Sequence, residues 1–159
     1  MLGYSRAILE AITEVLDAME IFYVTDDDDG VCFIDLHNAE PMLRSLNLEI
    51  TALSESFIIR ANASATADVN DFELVNSLME FLCRVNLGLP YGSFQFDCES
   101  GAVFYRSVVD CAGLDYPTAK MVKHALVAAV GAWCAVAQGL GGVLYGGLSA
   151  KEGFERCDF

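Results

Sequence analysis

From Ala125 to Ser149 the chain carries no charged side chain, and Lys123 and Lys151 stand just outside the run. A helix without a polar face has to be covered on several sides, by lipid or by protein. Length alone would allow a membrane span. The run, however, is richer in Ala and Gly than in Leu, Ile and Phe, holds Gln138, and is interrupted by Gly139, Gly141, Gly142, Gly146 and Gly147. Such residues contribute little transfer free energy per position, so the segment reads as the buried helix of a soluble protein, with no membrane partner. Pro117, tolerated in a first turn, and Asp115 just ahead of it mark the start. The helix should reach at least Gln138, with the glycines beyond bending or ending it. Ala125, Ala128, Ala132, Ala135 and Gly139 recur along it at spacings of three and four as a stripe of small side chains, and Leu126, Val130, Trp133, Ala137 and Leu140 form a larger-residue stripe nearby. The large stripe suits a sheet, and the small one suits close approach of another helix. A chain of 159 residues has few other elements to cover both. The small stripe is therefore the candidate interface of a homodimer.

Upstream, hydrophobic periodicity sets out the remaining elements. Ile8, Ile12, Val15, Leu16 and Met19 recur at helical spacing between Ser5 and Glu20, opposite Glu10, Glu14 and Asp17. Ile21 to Thr25 and Val31 to Leu36 flank Asp26-Asp27-Asp28-Asp29-Gly30, turn formers that end in the residue best able to take positive φ, so a hairpin is expected. After a loop around Glu40 and Pro41, the segments Leu46 to Leu53 and Phe57 to Ala63 alternate as strands joined by Ser54-Glu55-Ser56. Asn70-Asp71-Phe72-Glu73 has the order of a capping box, and Phe72, Val75, Leu78, Met79, Leu82 and Val85 give the main stripe of a second helix ending at Asn86, with Leu74 and Phe81 on another side. A second hairpin follows. Phe94 and Phe96 lie on one face of its first strand, Glu99-Ser100-Gly101 turns the chain, and Ala102 to Asp110 returns with apolar residues on both faces. Phe94, Phe96 and Phe104 are expected to be buried against helices. Ser149-Ala150-Lys151-Glu152 is a further capping box, for a short terminal helix.

Composition excludes more than it identifies. The length fits one domain, 1–159, able to bury a core without cross-links. With 23 acidic and 9 basic residues the net charge is −14, which repels phosphate backbones and argues against a nucleic-acid partner while favouring basic peptides or proteins. Cys32, Cys83, Cys98, Cys111, Cys134 and Cys157 are scattered without a Cys-x-x-Cys pair, which suits a reducing compartment. With only His37 and His124 beside them, no zinc site is expected, and no other metal or cofactor. Glu10, Glu14 and Asp17 interrupt the first apolar stretch, where a signal peptide needs an uncharged run, so a cytoplasmic location is expected.

Motif-like features elsewhere fail on chemistry. A calcium loop counted so that Gly30 falls at its sixth position places Leu36 where a bidentate carboxylate is required. Gly139-Leu140-Gly141-Gly142 lacks the preceding strand and the Lys and Ser/Thr pair of a phosphate loop. The aromatic residues of the second hairpin lack the basic neighbours of a single-strand-binding platform, with Arg106 alone beside them. An enzyme would have to use His37 or His124 as base with Asp35, Asp97 or Asp110, and none of these sits in a motif.

The order helix, meander, helix, hairpin, helix, with Asn86 closing one helix, Gly92-Ser93-Phe94 opening a strand that pairs with the one containing Tyr105-Arg106, and Gly146-Gly147-Leu148-Ser149-Ala150-Lys151-Glu152 near the carboxyl end, resembles the YbjN family of small bacterial proteins, whose architecture is similar to type III secretion chaperones. The resemblance runs from about Leu46 to Glu155. It implies an α+β domain with helices against an antiparallel sheet of about five strands in the order α-β-β-β-β-α-β-β-α, commonly dimeric and without catalytic residues. The function expected from it is non-enzymatic: a protein-binding or regulatory domain, chaperone-like in shape, working as a homodimer with a protein or peptide partner. The alternative is a small-molecule-binding protein or enzyme with an unrecognised site.

Overall fold

In the computed structural model, residues 4–37 and 45–159 are described. The loop expected around Glu40 and Pro41 lies outside them. The chain runs α1 (Arg6–Ala18), β1 (Val24–Asp26), β2 (Val31–His37), β3 (Ser45–Ala52), β4 (Ser56–Thr66), α2 (Phe72–Gly88), β5 (Ser93–Phe96), β6 (Ala102–Asp110), α3 (Ala119–Tyr145) and α4 (Ala150–Phe154). The fold is α+β. Its six strands form one antiparallel sheet in the order β1-β2-β3-β4-β6-β5, and they follow the expected order of four strands, a helix and two strands. The meander β1 to β4 is sequential, and α2 then carries the chain to the far edge, from which the β5–β6 hairpin returns to lie beside β4.

Alternation decides which face of the sheet is covered. Cys32, Ile34, Leu48, Ile50, Phe57, Ile59, Ala61, Val103 and Tyr105 are buried, while their sequence neighbours point to the open face. On the covered face α3 lies over β4 and β6, α1 over β2 and β3, and α2 against β5. Alanines at 61, 63 and 65 keep β4 shallow where α3 crosses it, and Trp133 fills the space. Its indole Nε1 donates to the Ala61 carbonyl at 3.1 Å, and its ring meets Phe94 edge-on at 5.0 Å between centroids. A buried indole loses its water partner, so this one hydrogen bond lets the largest side chain of the core stay dry.

Local signals hold at most boundaries. Ser5 and Thr118 cap α1 and α3 by accepting from Ile8 and Met121 amides, and Ser149 and Glu152 complete a reciprocal capping box on α4. Gly30 closes the first hairpin at φ +69°. Elsewhere tertiary contacts override the pattern. The cap of α2 is Asp71, whose carboxylate accepts from the Leu74 amide, and not Asn70, which bonds to Asp68. That helix continues past Asn86 to Gly88, buries Phe81 completely, and leaves Phe72 and Met79 exposed. The first strand is shorter than expected, since Ile21 to Tyr23 do not pair with β2. Phe94 is buried as expected, but Phe96 is only half-buried and Phe104 lies on the open face under the Arg60 guanidinium, while Tyr105 takes the core position.

The glycines within α3 do not break it, and Gly146 caps its end, with Gly147 next at φ +64°. Gly139 sits where α4 crosses: a Cβ there would overlap the Gly153 carbonyl oxygen and lie 2.8 Å from Cys157 Sγ. Small residues on both helices let the two backbones touch. The helix is long and apolar enough to cross a membrane, yet half of its most apolar window is buried within the chain.

Asn86 has a structural task of its own. Its side-chain amide accepts from the Phe94 N–H at 2.8 Å and donates to the Phe94 carbonyl at 2.9 Å, pinning the end of α2 to the start of β5. Between them Gly92, at φ +63°, passes so close to Tyr105 that a Cβ would overlap the phenol. Asn86→Ala strands both backbone groups in a half-buried position. A loss of about 1–3 kcal/mol is expected in urea denaturation.

Candidate protein-interaction surface

Because α1 and α2 flank α3, one line along the central helix stays uncovered: His124, Val127, Gly131, Cys134 and Gln138 are exposed at spacings of three and four. Val127 is 64% exposed. No Asp, Glu or Lys side chain lies on this line, and Lys123 marks its amino-terminal limit. Two apolar grooves border it. One, of about 300 Å³, runs between α3 and the α2–β5 linker, lined by Leu89, Pro90, Tyr91, Ala128, Ala132 and Ala135 among others. The other, of about 310 Å³, lies towards the end of α1 and the sheet, lined by Met19, Ile21, Leu36, Leu126 and Val130. Val127 and Gly131 belong to both and form the ridge that separates them.

Gly131 is the informative residue of this ridge. A glycine inside a helix costs about 0.5–1 kcal/mol relative to alanine. At Gly139 and Gly153 the crossing of α3 and α4 explains that cost, but a Cβ built on Gly131 meets nothing within 4 Å. Nothing in its own chain asks for the missing side chain.

The small stripe divides between inside and outside. Ala125 and Ala132 are buried at 5% and 6% exposure, Ala128 and Ala135 are half-buried along the first groove, and Gly139 is covered by α4 of the same chain. Gly139 is thus already occupied, and the open ridge consists of residues not singled out by the stripe. Their only sequence signal is the spacing of positions 124, 127, 131, 134 and 138 within a run that is apolar all round.

The candidate acid–base residues are dispersed. His37 and Asp35 are exposed on β2, and Asp110 is exposed at the end of β6. His124 meets the Tyr91 ring edge-on at 4.6 Å, in a groove with no Asp or Glu side chain among its lining residues. Asp97 accepts from Ser100 Oγ at 2.6 Å and from the Glu99 amide at 2.9 Å. Those bonds hold its carboxyl below the usual range, which makes it a turn anchor and a poor base. Burial pushes the Cys32 and Cys157 thiols up to about 11, so neither is a ready nucleophile at neutral pH. Among the described residues there is no group of three or more His, Cys, Asp and Glu side chains placed to hold a metal ion.

No family model matches the chain, and no curated protein matches it. Among solved structures it is similar to a chain of the crystal structure of the ExsC–ExsE complex, at 15% identity and a TM-score of 0.49, covering 78% of this chain and 86% of that one. It is also similar to a chain of the HopA1–SchA chaperone–effector complex, at 13% identity and a TM-score of 0.49, covering 77% of this chain and 86% of that one.

Proposed function

We propose that this chain is a non-enzymatic protein-binding or regulatory domain spanning 1–159, chaperone-like in shape, that works in the cytoplasm as a homodimer built on the open face of α3. The observation that carries the reading is the uncharged ridge of Val127 and Gly131 between two apolar grooves. Two copies at −14 each repel one another over most of their surfaces, and this face offers them a contact without opposed carboxylates. Two α3 helices crossing antiparallel at Gly131 would bring Val127 of each copy over the Ala135 groove of the other, a knob against small residues. The same crossing brings Lys123 of one copy towards Asp158 of the other, since the Asp158 amide donates to the Ala135 carbonyl at 2.9 Å. Membership of the YbjN family goes with this reading and is supported by the tasks that its motif residues Asn86 and Gly92 perform in the fold.

Substitutions at Gly131 test the interface because they separate folding from association. Gly131→Ala should raise the thermal stability of the monomer by about 0.5–1 kcal/mol, and Gly131→Leu should leave it folded, since the site is open. Both should weaken the dimer in light scattering, the leucine variant more, because each added atom pushes the two helices apart. Dimers of undiminished affinity in Gly131→Leu would place any interface elsewhere.

A further inference from the structure

The face of the sheet opposite the helices carries an apolar shelf beside two carboxylates. Alternation puts Val24, Phe33, Asp35 and Glu49 on this open face, and Phe22 stands just ahead of β1 at the same edge. Phe22, Val24 and Phe33 are 84%, 56% and 46% exposed. With Asp35, Glu49, Arg60 and Asn62 among its other walls, they border the largest cavity of the described residues, about 490 Å³. Glu49 is directly opposed to Phe33 in the β2–β3 register, and Asp35 follows Phe33 on the same face of β2. The two acidic residues are thus diagonal neighbours about 7–8 Å apart, with the phenyl ring beside both.

Neither carboxylate is paired with a cation among the described residues, whose ion pairs are Arg6–Glu10, Arg84–Glu80 and Lys151–Glu155. Arg60 is the candidate, since it opposes Glu49 from β4, with Arg106 opposed to it on the other side. Its guanidinium lies instead over Phe104 of β6, the Cζ 4.0 Å from the ring centroid. The charge is thereby directed away from Glu49 and towards the far edge of the sheet. There the Asp97 carboxyl, held low chiefly by the Ser100 hydroxyl and the Glu99 amide, also feels it. Among the described residues no third His, Cys, Asp or Glu joins Asp35 and Glu49 in a group placed to hold a metal ion. An aromatic ring beside two carboxylates suits an organic cation, whose alkyl stem lies on the ring while its N–H groups reach the oxygens. Asn62 adds a donor for a peptide carbonyl: its Oδ1 accepts from the Ser64 amide at 2.8 Å, which leaves its NH₂ to donate.

We propose that this shelf recognises a short basic–apolar segment of a protein partner, with a lysine or arginine side chain seated against Phe33 between Asp35 and Glu49, and an apolar side chain on Phe22 and Val24. The inference rests on the protein-binding reading above, names the chemistry of the partner, and uses the other side of the molecule from the α3 ridge. The net charge of −14 draws cations towards the whole chain, and the shelf is where unpaired carboxylates and exposed apolar side chains coincide. An extended segment lays its alternate side chains on such a face.

Fluorescence anisotropy with a labelled hexapeptide alternating lysine with phenylalanine and valine tests it, against versions carrying glutamine or glutamate in place of lysine. Salt at about 150 mM screens the long-range pull of the net charge. The lysine peptide should bind about tenfold or more tighter than the glutamine version, and Glu49→Gln and Phe33→Ser should each weaken it about tenfold. Glu14→Gln removes the same charge from the exposed side of α1 and should change the affinity less than about twofold. The substituted residues lie outside the core, and a circular dichroism melt checks that they leave the fold intact. Equal or tighter binding of the glutamine or glutamate peptide, equal losses in Glu49→Gln and Glu14→Gln, or no binding of the lysine peptide at millimolar concentration would overturn the proposal. Light scattering on the same samples reports separately on the α3 dimer, and a dimer lost in Phe33→Ser would assign the shelf to a second copy and overturn the proposal as well.

Discussion

Trp133→Ala should cost about 3–5 kcal/mol, the largest loss from any single truncation in this chain. The side chain is fully buried, meets Phe94 edge-on, and fills the space that the alanines of β4 leave open. Its removal leaves a cavity at the junction of α3, β4 and the β5–β6 hairpin, and it removes the indole hydrogen bond to the Ala61 carbonyl. Trp133→Phe separates the two effects. The ring then fills most of the volume, so the remaining loss of about 0.5–1.5 kcal/mol reports mainly the missing indole hydrogen bond. Urea denaturation followed by far-ultraviolet circular dichroism gives both numbers, since the indole is the only tryptophan and cannot serve as the common probe. A loss under about 1 kcal/mol for Trp133→Ala would mean that α3 does not pack on β4 as described.

Gly139→Val should displace α4. The Cβ alone overlaps the Gly153 carbonyl oxygen, a backbone atom that cannot rotate away, and the two methyl groups extend the clash towards Cys157. Overpacking of this kind costs about 1–3 kcal/mol and occasionally more. It has a second readout. In the parent protein burial keeps the Cys157 thiol protonated well above neutral pH, with its pKa at about 11, so alkylation at pH 8 should be slow compared with the exposed Cys83. Freed from the α3–α4 crossing, Cys157 should react at a rate near that of Cys83. Gly131→Ala provides the control for Cys157 reactivity on the same helix, because a side chain there meets nothing within its own chain.

Those two residues also mark what was legible in the sequence. The place of Trp133 on the sheet-facing stripe is legible, because a large side chain at helical spacing has only one way to be buried when a sheet is present. The role of Gly139 was not legible. A glycine near the end of an apolar run looks the same whether it ends a helix or lets another helix cross, and the deciding contact comes from Gly153, fourteen positions away in the chain and in another element. Phe104 and Tyr105 illustrate the same limit in a strand. Both faces of β6 are apolar, so alternation leaves two registers, and only the position of α3 on one face chooses between them. In α2 a stripe through Phe72 and Met79 and another through Phe81 both satisfy the helical period, and α4 settles which is buried. The open ridge of α3 was hidden for a further reason. In a helix apolar all round no polar face marks the exposed side, and Val127, Gly131 and Cys134 became distinguishable only once α1, α2 and α4 had covered the rest. The Arg60–Arg106 pair is a matter of register between β4 and β6, strands separated by a whole helix and a third strand, and no local pattern sets it.

The charge pattern links these observations. In a strongly acidic chain, the long ridge of α3 without acidic or lysine side chains is the surface on which the proposed association depends. Light scattering of the unmodified protein across a concentration series tests it most directly. The account predicts a dimer at low micromolar concentration that Val127→Lys converts to a folded monomer, because a lysine on the ridge would bury an unpaired charge against the second copy. An unmodified protein that stays monomeric at high micromolar concentration, with Val127→Lys indistinguishable from it, would contradict the account.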